Sequence, residues 1–188
     1  MTNSDRMMST EAGGATQAAP GLGRQILAGV LFLAVVAAIA VFGSMATMPN
    51  TDGWYAEVER APWSPPDALF GPVWSALYFL IALAGFLIWR AGFRGGGQRN
   101  AASGALTLFV VQMVLNSLWT PVFFAGYPAM GEPAWWIALV IIVALVLTLL
   151  VLIPKAWRWS KIASIVLIPY LLWVSFATSL NLAIIVLN

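Results

Sequence analysis

The chain has 188 residues, of which 61% are hydrophobic and only 9% charged, and its formal net charge is +2. Soluble domains carry roughly 45–50% apolar and about 25% charged residues, so a soluble fold is excluded and an all-α integral membrane protein is expected. Cysteine and histidine are both absent, which excludes disulfides, thiol chemistry and the commonest metal ligand and general base.

Residues 1–24 are rich in Ser, Thr, Gly and Ala and lack a periodic apolar pattern. They read as a disordered polar tail. Residues 25–188 read as one membrane domain of five apolar runs. The first, Gln25 to Ala46, ends before Met48-Pro49-Asn50. The second is Ala68 to Trp89, and the third is Ala101 to Phe124, with Pro121 near its end. The fourth, Ala134 to Ile153, is expected to stop at Pro154-Lys155, and the fifth is Ile162 to Leu187. Each is about 20 residues or longer, the length a helix needs to cross the hydrocarbon of a bilayer. No run shows the alternation of a membrane strand, and none carries a charge in its interior. A five-transmembrane-helix bundle is the predicted fold.

The connectors alternate in charge. The first loop holds Asp52, Glu57, Glu59 and Asp67 against Arg60. The second holds Arg90, Arg94 and Arg99, the third only Glu132, and the fourth Lys155, Arg158 and Lys161. Basic loops stay cytoplasmic, so the N-terminus is expected inside, and the first loop and the C-terminus outside. Trp135-Trp136 and Trp157/Trp159 sit at span boundaries and read as interfacial anchors. Gly95-Gly96-Gly97 reads as a flexible connector; without a following Lys-Ser/Thr it is no phosphate cradle.

No acid lies within a span, which argues against a pump, a metal enzyme or a proton-coupled carrier. No metal site and no required cofactor are expected, and no nucleic-acid partner. Aromatic and amide residues are present instead. Gln112, Asn116 and Thr120 recur every four residues on one face of the third span, which must point into the bundle. Gln112 reads equally well as helix–helix glue; Asn116, one turn from Trp119, is the better ligand candidate. Trp74 and Tyr78 share a face of the second span. Trp173 lies in the fifth span, four residues before the small Ala177. Ordinary aromatic packing accounts for each of these taken alone. Together, tryptophans on three spans suit a flat, aromatic-walled cavity that favours planar π systems. In the first loop, Pro62, Pro65, Pro66 and Pro72 stiffen a segment whose Trp54, Tyr55 and Trp63 are expected to fold over the bundle mouth.

These residues resemble the TspO/MBR family, the tryptophan-rich sensory proteins of bacteria and the mitochondrial translocator protein. WY followed by PWSPP and W-x3-Y looks like its first loop and second helix, QMVLNSLWTPVFF like its third helix, and PYLLWVSFATSLNLAIIVLN like its fifth. The likeness covers about Gly43 to the C-terminus. It implies a five-helix bundle, commonly a homodimer, with a cavity beneath the first loop. Members bind porphyrins, notably protoporphyrin IX, as well as isoquinoline carboxamides and benzodiazepines, and some bind sterols. The motifs carry the cavity tryptophans to Trp74, Trp119 and Trp173, further pocket positions to Asn116 and Ala177, and the lid to Trp54, Tyr55 and Trp63. In some bacterial members the tryptophans matching Trp74 and Trp173 are implicated in light-dependent porphyrin breakdown. One departure argues against sterol binding: Leu180-Asn181 is followed by LAIIVLN, without the aromatic and basic residues of animal members. The expected protein is thus a porphyrin-binding receptor, sensor or transporter of a bacterial cell membrane. The alternatives are a light- and oxygen-dependent porphyrin-degrading enzyme, and a structural or partner-binding membrane protein.

Overall fold

The computed structural model describes residues 20–94 and 99–188. Of the described residues, 84% are helical. Its elements are α1 (Leu22–Thr51), the short α2 (Trp54–Glu57), a single 3-10 turn (Asp67–Leu69), α3 (Phe70–Ala91), α4 (Ser103–Phe124), the short α5 (Tyr127–Met130), α6 (Glu132–Trp157) and α7 (Lys161–Leu187). Five of them, α1, α3, α4, α6 and α7, are long and apolar enough to cross a membrane. Among the described residues there is no strand, as expected where lipid offers backbone groups no partner.

The first and fourth spans run well past the ends of their apolar runs. The first helix begins at Leu22, so Leu22–Arg24 belong to α1 and not to the tail; most of the tail, and the Gly95–Gly97 connector, lie outside the described residues. Neither Pro49 nor Pro154 ends its helix. Each falls in the last turns, where a missing N–H removes one bond and few turns remain to be disturbed. Side chains then occupy nearby carbonyls: Asn50 Nδ2 donates to the carbonyl of Ala46 at 2.8 Å, and Ser164 Oγ to that of Ile153 at 2.9 Å. Pro72 sits in the first turn of α3, where its lost N–H is an orphan anyway.

The five spans pack as a closed ring in the order α1, α3, α7, α6, α4 and back to α1. Successive spans are antiparallel. The first loop, the C-terminal ends of α1, α4 and α7, and the N-terminal ends of α3 and α6 therefore share one end of the bundle. The acids of the first loop gather there, and the arginines and lysines of the other connectors gather at the opposite end. At that opposite half, α1, α3 and α4 meet closely. Phe32 and Phe109 pack edge to face at 5.7 Å across the position of Gly85. A Cβ at residue 85 would fall 2.5 Å from the Phe109 ring and 2.7 Å from that of Phe32, so only glycine lets these helices approach. At the loop end α1 and α3 leave space between them.

Trp136 and Trp157 are exposed at the span ends, as anchors should be, but Trp135 is not. It is buried to 1% exposure and stacks on Tyr127, with ring centroids 4.4 Å apart and planes 4° from parallel. The short helix α5 folds Tyr127 back onto the first turn of α6, and this turns Trp135 into core.

Candidate functional site

A cavity of about 380 Å³ opens at the loop end of the ring. Its walls come from α1, α3, α4 and α7; α6 contributes nothing. The aromatic surface is made by Phe70, Trp74 and Tyr78 of α3, Trp119, Phe123 and Phe124 of α4, and Tyr55 of the loop. Trp74 lies 5.3 Å from Tyr78 and 6.4 Å from Trp119, and Trp119 stacks on Phe123 at 5.8 Å. The pairs share faces because residues four apart on one helix lie one above the other.

Two buried amides fix this wall. Asn181 of α7 accepts the indole N–H of Trp119 at 3.3 Å and donates to the carbonyl of Trp135 at 3.1 Å. It therefore ties α4, α6 and α7 together beside the cavity, which it also lines. Asn116 donates to the Tyr170 hydroxyl at 2.6 Å and accepts the Tyr78 hydroxyl at 3.3 Å, joining α3, α4 and α7. Here the structure departs from the sequence expectation. Asn116 does not reach the cavity; Thr120, one turn on, does. One donor and one acceptor of the Asn116 amide serve tyrosines, so it supports the wall from behind. Gln112 is fully buried, and among the described residues neither of its amide atoms has a partner. It is not helix–helix glue through hydrogen bonding.

The loop residues divide into anchors and roof. Trp54 does not border the cavity. Its indole N–H donates to the carbonyl of Phe124 at 3.0 Å, one of the orphan acceptors at the end of α4. Its ring packs 4.4 Å from Tyr127 and 5.6 Å from Trp135. Trp63 is 55% exposed, and its N–H reaches Ser179 Oγ of α7 at 3.3 Å. Beside it Ala61 is buried against Leu180 and Ala183, and Glu59 exchanges two hydrogen bonds with the Asn188 side chain, at 2.9 and 3.0 Å. The loop is thus pinned to α4 and α6 at one end and to α7 at the other. Only Tyr55 and Asp67 of the loop line the cavity. Pro62, Pro65 and Pro66, expected to cover the mouth, stand outside the lining, next to the strip docked along α7. Burial pushes the Tyr55 hydroxyl above its ordinary pKa, with the nearby Arg60 opposing that shift. Tyr55 is therefore a neutral roof group at pH 7.

Ala177 lines the α7 wall as its spacing suggested, but Trp173, one turn earlier, does not. Trp173 packs on Phe70 at 5.8 Å and on Phe176 at 5.7 Å, and its indole N–H is buried without a partner among the described residues. Of the sequence candidates, the structure brings together Tyr55, Trp74, Tyr78, Trp119 and Ala177. It leaves Trp54, Trp63, Asn116 and Trp173 around them.

The sequence reading missed the α1 wall entirely. Ala40, Gly43, Ser44, Thr47 and Thr51 line the cavity opposite the tryptophans. Their signal was a small, weakly polar face at helical spacing, ending a helix otherwise built of Leu, Val and Phe. Phe123 and Asn181 were also unassigned to the site, although both lay inside quoted motifs.

Comparison with known proteins identifies the family. The model of the TspO/MBR family matches residues 31–187, and so takes in most of α1, which carries none of the motifs quoted above. The chain is 38% identical over 164 residues to the tryptophan-rich protein TspO of Archaeoglobus fulgidus, covering 87% of this chain and 98% of that one. It is 32% identical over 161 residues to the tryptophan-rich sensory protein of Cereibacter sphaeroides, covering 84% and 91%. It is 36% identical over 129 residues to the human translocator protein, covering 68% and 70%. The five-span bundle is therefore that of a membrane protein of the TspO/MBR family, to which this chain belongs.

Proposed function

We propose that the chain is a membrane receptor, sensor or transporter that binds a porphyrin-like tetrapyrrole in the cavity beneath the first loop. One observation carries this reading: the rings of Trp74, Tyr78, Trp119 and Phe123 form one continuous wall of the cavity, facing small and weakly polar residues such as Gly43, Ser44 and Thr47 of α1. Offset stacking on indole and phenyl faces favours a large planar π system over a flexible chain or a hydrated ion. The volume falls in the range of small-molecule sites. The names sensory protein and translocator protein among the relatives suit a binding role. In the same proposal the basic end of the bundle is cytoplasmic and the acidic loop end faces outward.

The test is a dark titration with protoporphyrin IX, followed through tryptophan fluorescence. Trp74→Phe is expected to weaken binding, because its ring borders the cavity. Trp173→Phe is expected to leave affinity unchanged, because its ring lies outside the lining. Equal effects, or none, would contradict the site.

A second reading, light-dependent porphyrin breakdown, rests on Trp74. Its indole lies at the cavity surface, where an excited macrocycle and oxygen could both reach it, whereas Trp173 is set back behind Phe70. This reading expects porphyrin absorption to be lost under illumination with oxygen, and that loss to be abolished in Trp74→Phe but not in Trp173→Phe. Bleaching at the rate of free porphyrin would remove it.

A further inference from the structure

We propose that Arg60 is the carboxylate-binding residue of the cavity mouth, holding an acidic side group of the bound tetrapyrrole. This rests on the porphyrin-binding reading above and adds how the ligand is oriented.

Arg60 sits directly behind the roof. Its Nη1 donates to Asp67 Oδ1 at 2.8 Å, and its guanidinium carbon lies 5.5 Å from the centre of the Tyr55 ring. Both partners line the cavity. Asp67 uses a single N–H of a group that has five. The fork therefore has donors left for a second carboxylate, and a planar guanidinium suits one geometrically.

The charge around it makes this position singular. Among the described residues, Arg60 is the only cation at the loop end of the bundle, against Asp52, Glu57, Glu59, Asp67 and Glu132. The cavity wall itself carries no cation. A carboxylate pushed into that wall would be buried unpaired, at high cost. A flat macrocycle bearing acid groups therefore enters ring first and leaves its acids at the mouth, where Arg60 is the one attractive charge. Asp67 has two opposed effects. It holds the guanidinium over Tyr55, and its own charge repels a second anion.

Two probes separate the macrocycle from its acid groups. The full chain is titrated in the dark with protoporphyrin IX and with its dimethyl ester, which keeps the macrocycle and lacks the carboxylates. Each variant is compared with wild type on the same probe, so that differences in partitioning cancel. Arg60→Gln is expected to weaken the diacid roughly fivefold, the scale of a half-exposed charge-assisted contact, and to leave the ester unchanged. Arg60→Lys should retain part of the wild-type preference. Weakening of both probes by Arg60→Gln would mean that the residue only holds the loop, and would overturn the inference. An unchanged diacid affinity would also overturn it while leaving porphyrin binding intact. A wild-type protein that binds neither probe would remove the porphyrin reading itself.

Discussion

The indole N–H of Trp119 donates to the side-chain oxygen of Asn181 at 3.3 Å, across the interface of α4 and α7. This bond takes up the only polar atom of the ring, so Trp119 offers the cavity apolar surface alone. The amide spends its nitrogen on the carbonyl of Trp135 and so fixes the third helix of the interface as well. One buried asparagine thus sets both the wall and the packing behind it.

Replacing Asn181 by leucine is expected to orphan a buried indole N–H and lower stability by about 1–2 kcal/mol. Thermal unfolding in detergent measures this. Porphyrin affinity should fall as well, since Trp119 loses its anchor. A variant of unchanged melting temperature and unchanged affinity would show the bond to be incidental.

Gln112 and Asn116 lie one turn apart on α4 and should respond oppositely. Asn116→Leu strips partners from Tyr78 and Tyr170 and is expected to cost about 1–2 kcal/mol. Gln112→Leu removes an amide that has no partner among the described residues, and should leave the melting temperature unchanged or raise it. Equal losses in the two variants would mean that Gln112 is satisfied after all.

Gly85 marks the closest approach of α1, α3 and α4. A methyl group there meets the Phe32 and Phe109 rings at under 3 Å. Gly85→Ala is therefore expected to destabilise the protein by about 1–3 kcal/mol through overpacking. Phe109→Leu in the same background should restore part of that loss. Additive destabilisation by the two changes would contradict the contact.

The five spans were legible because bilayer thickness imposes a minimum length on any apolar run, and every run met it. Their ring order was not legible. A span such as α1, whose residues are apolar on nearly every side, carries no moment that says which face meets protein. The α1 wall was lost for that reason, since Gly43 and Ser44 signal closeness or openness only once a neighbour is known. Tryptophans misled in a different way. Trp54, Trp74, Trp135 and Trp173 look alike in sequence, where only the local setting of each is visible. Contacts far along the chain decide among them: Trp54 and Trp135 meet through Tyr127, while Trp173 is set behind Phe70. The spacing of Asn116 predicts that it faces inward, and it is buried, but its depth relative to the cavity depends on the position of Tyr170, fifty-four residues away.

Ala177 gives the most direct test of the central claim that ligand sits between α1 and the tryptophan wall. It is nearly buried, lines the cavity from α7, and leaves space beside it. Ala177→Phe places a ring in that space. Dark titration with protoporphyrin IX, run beside thermal unfolding, should show affinity weakened at least about tenfold, equivalent to ~1.4 kcal/mol, with the melting temperature retained. Wild-type affinity in a folded Ala177→Phe protein would place the porphyrin elsewhere and contradict the account.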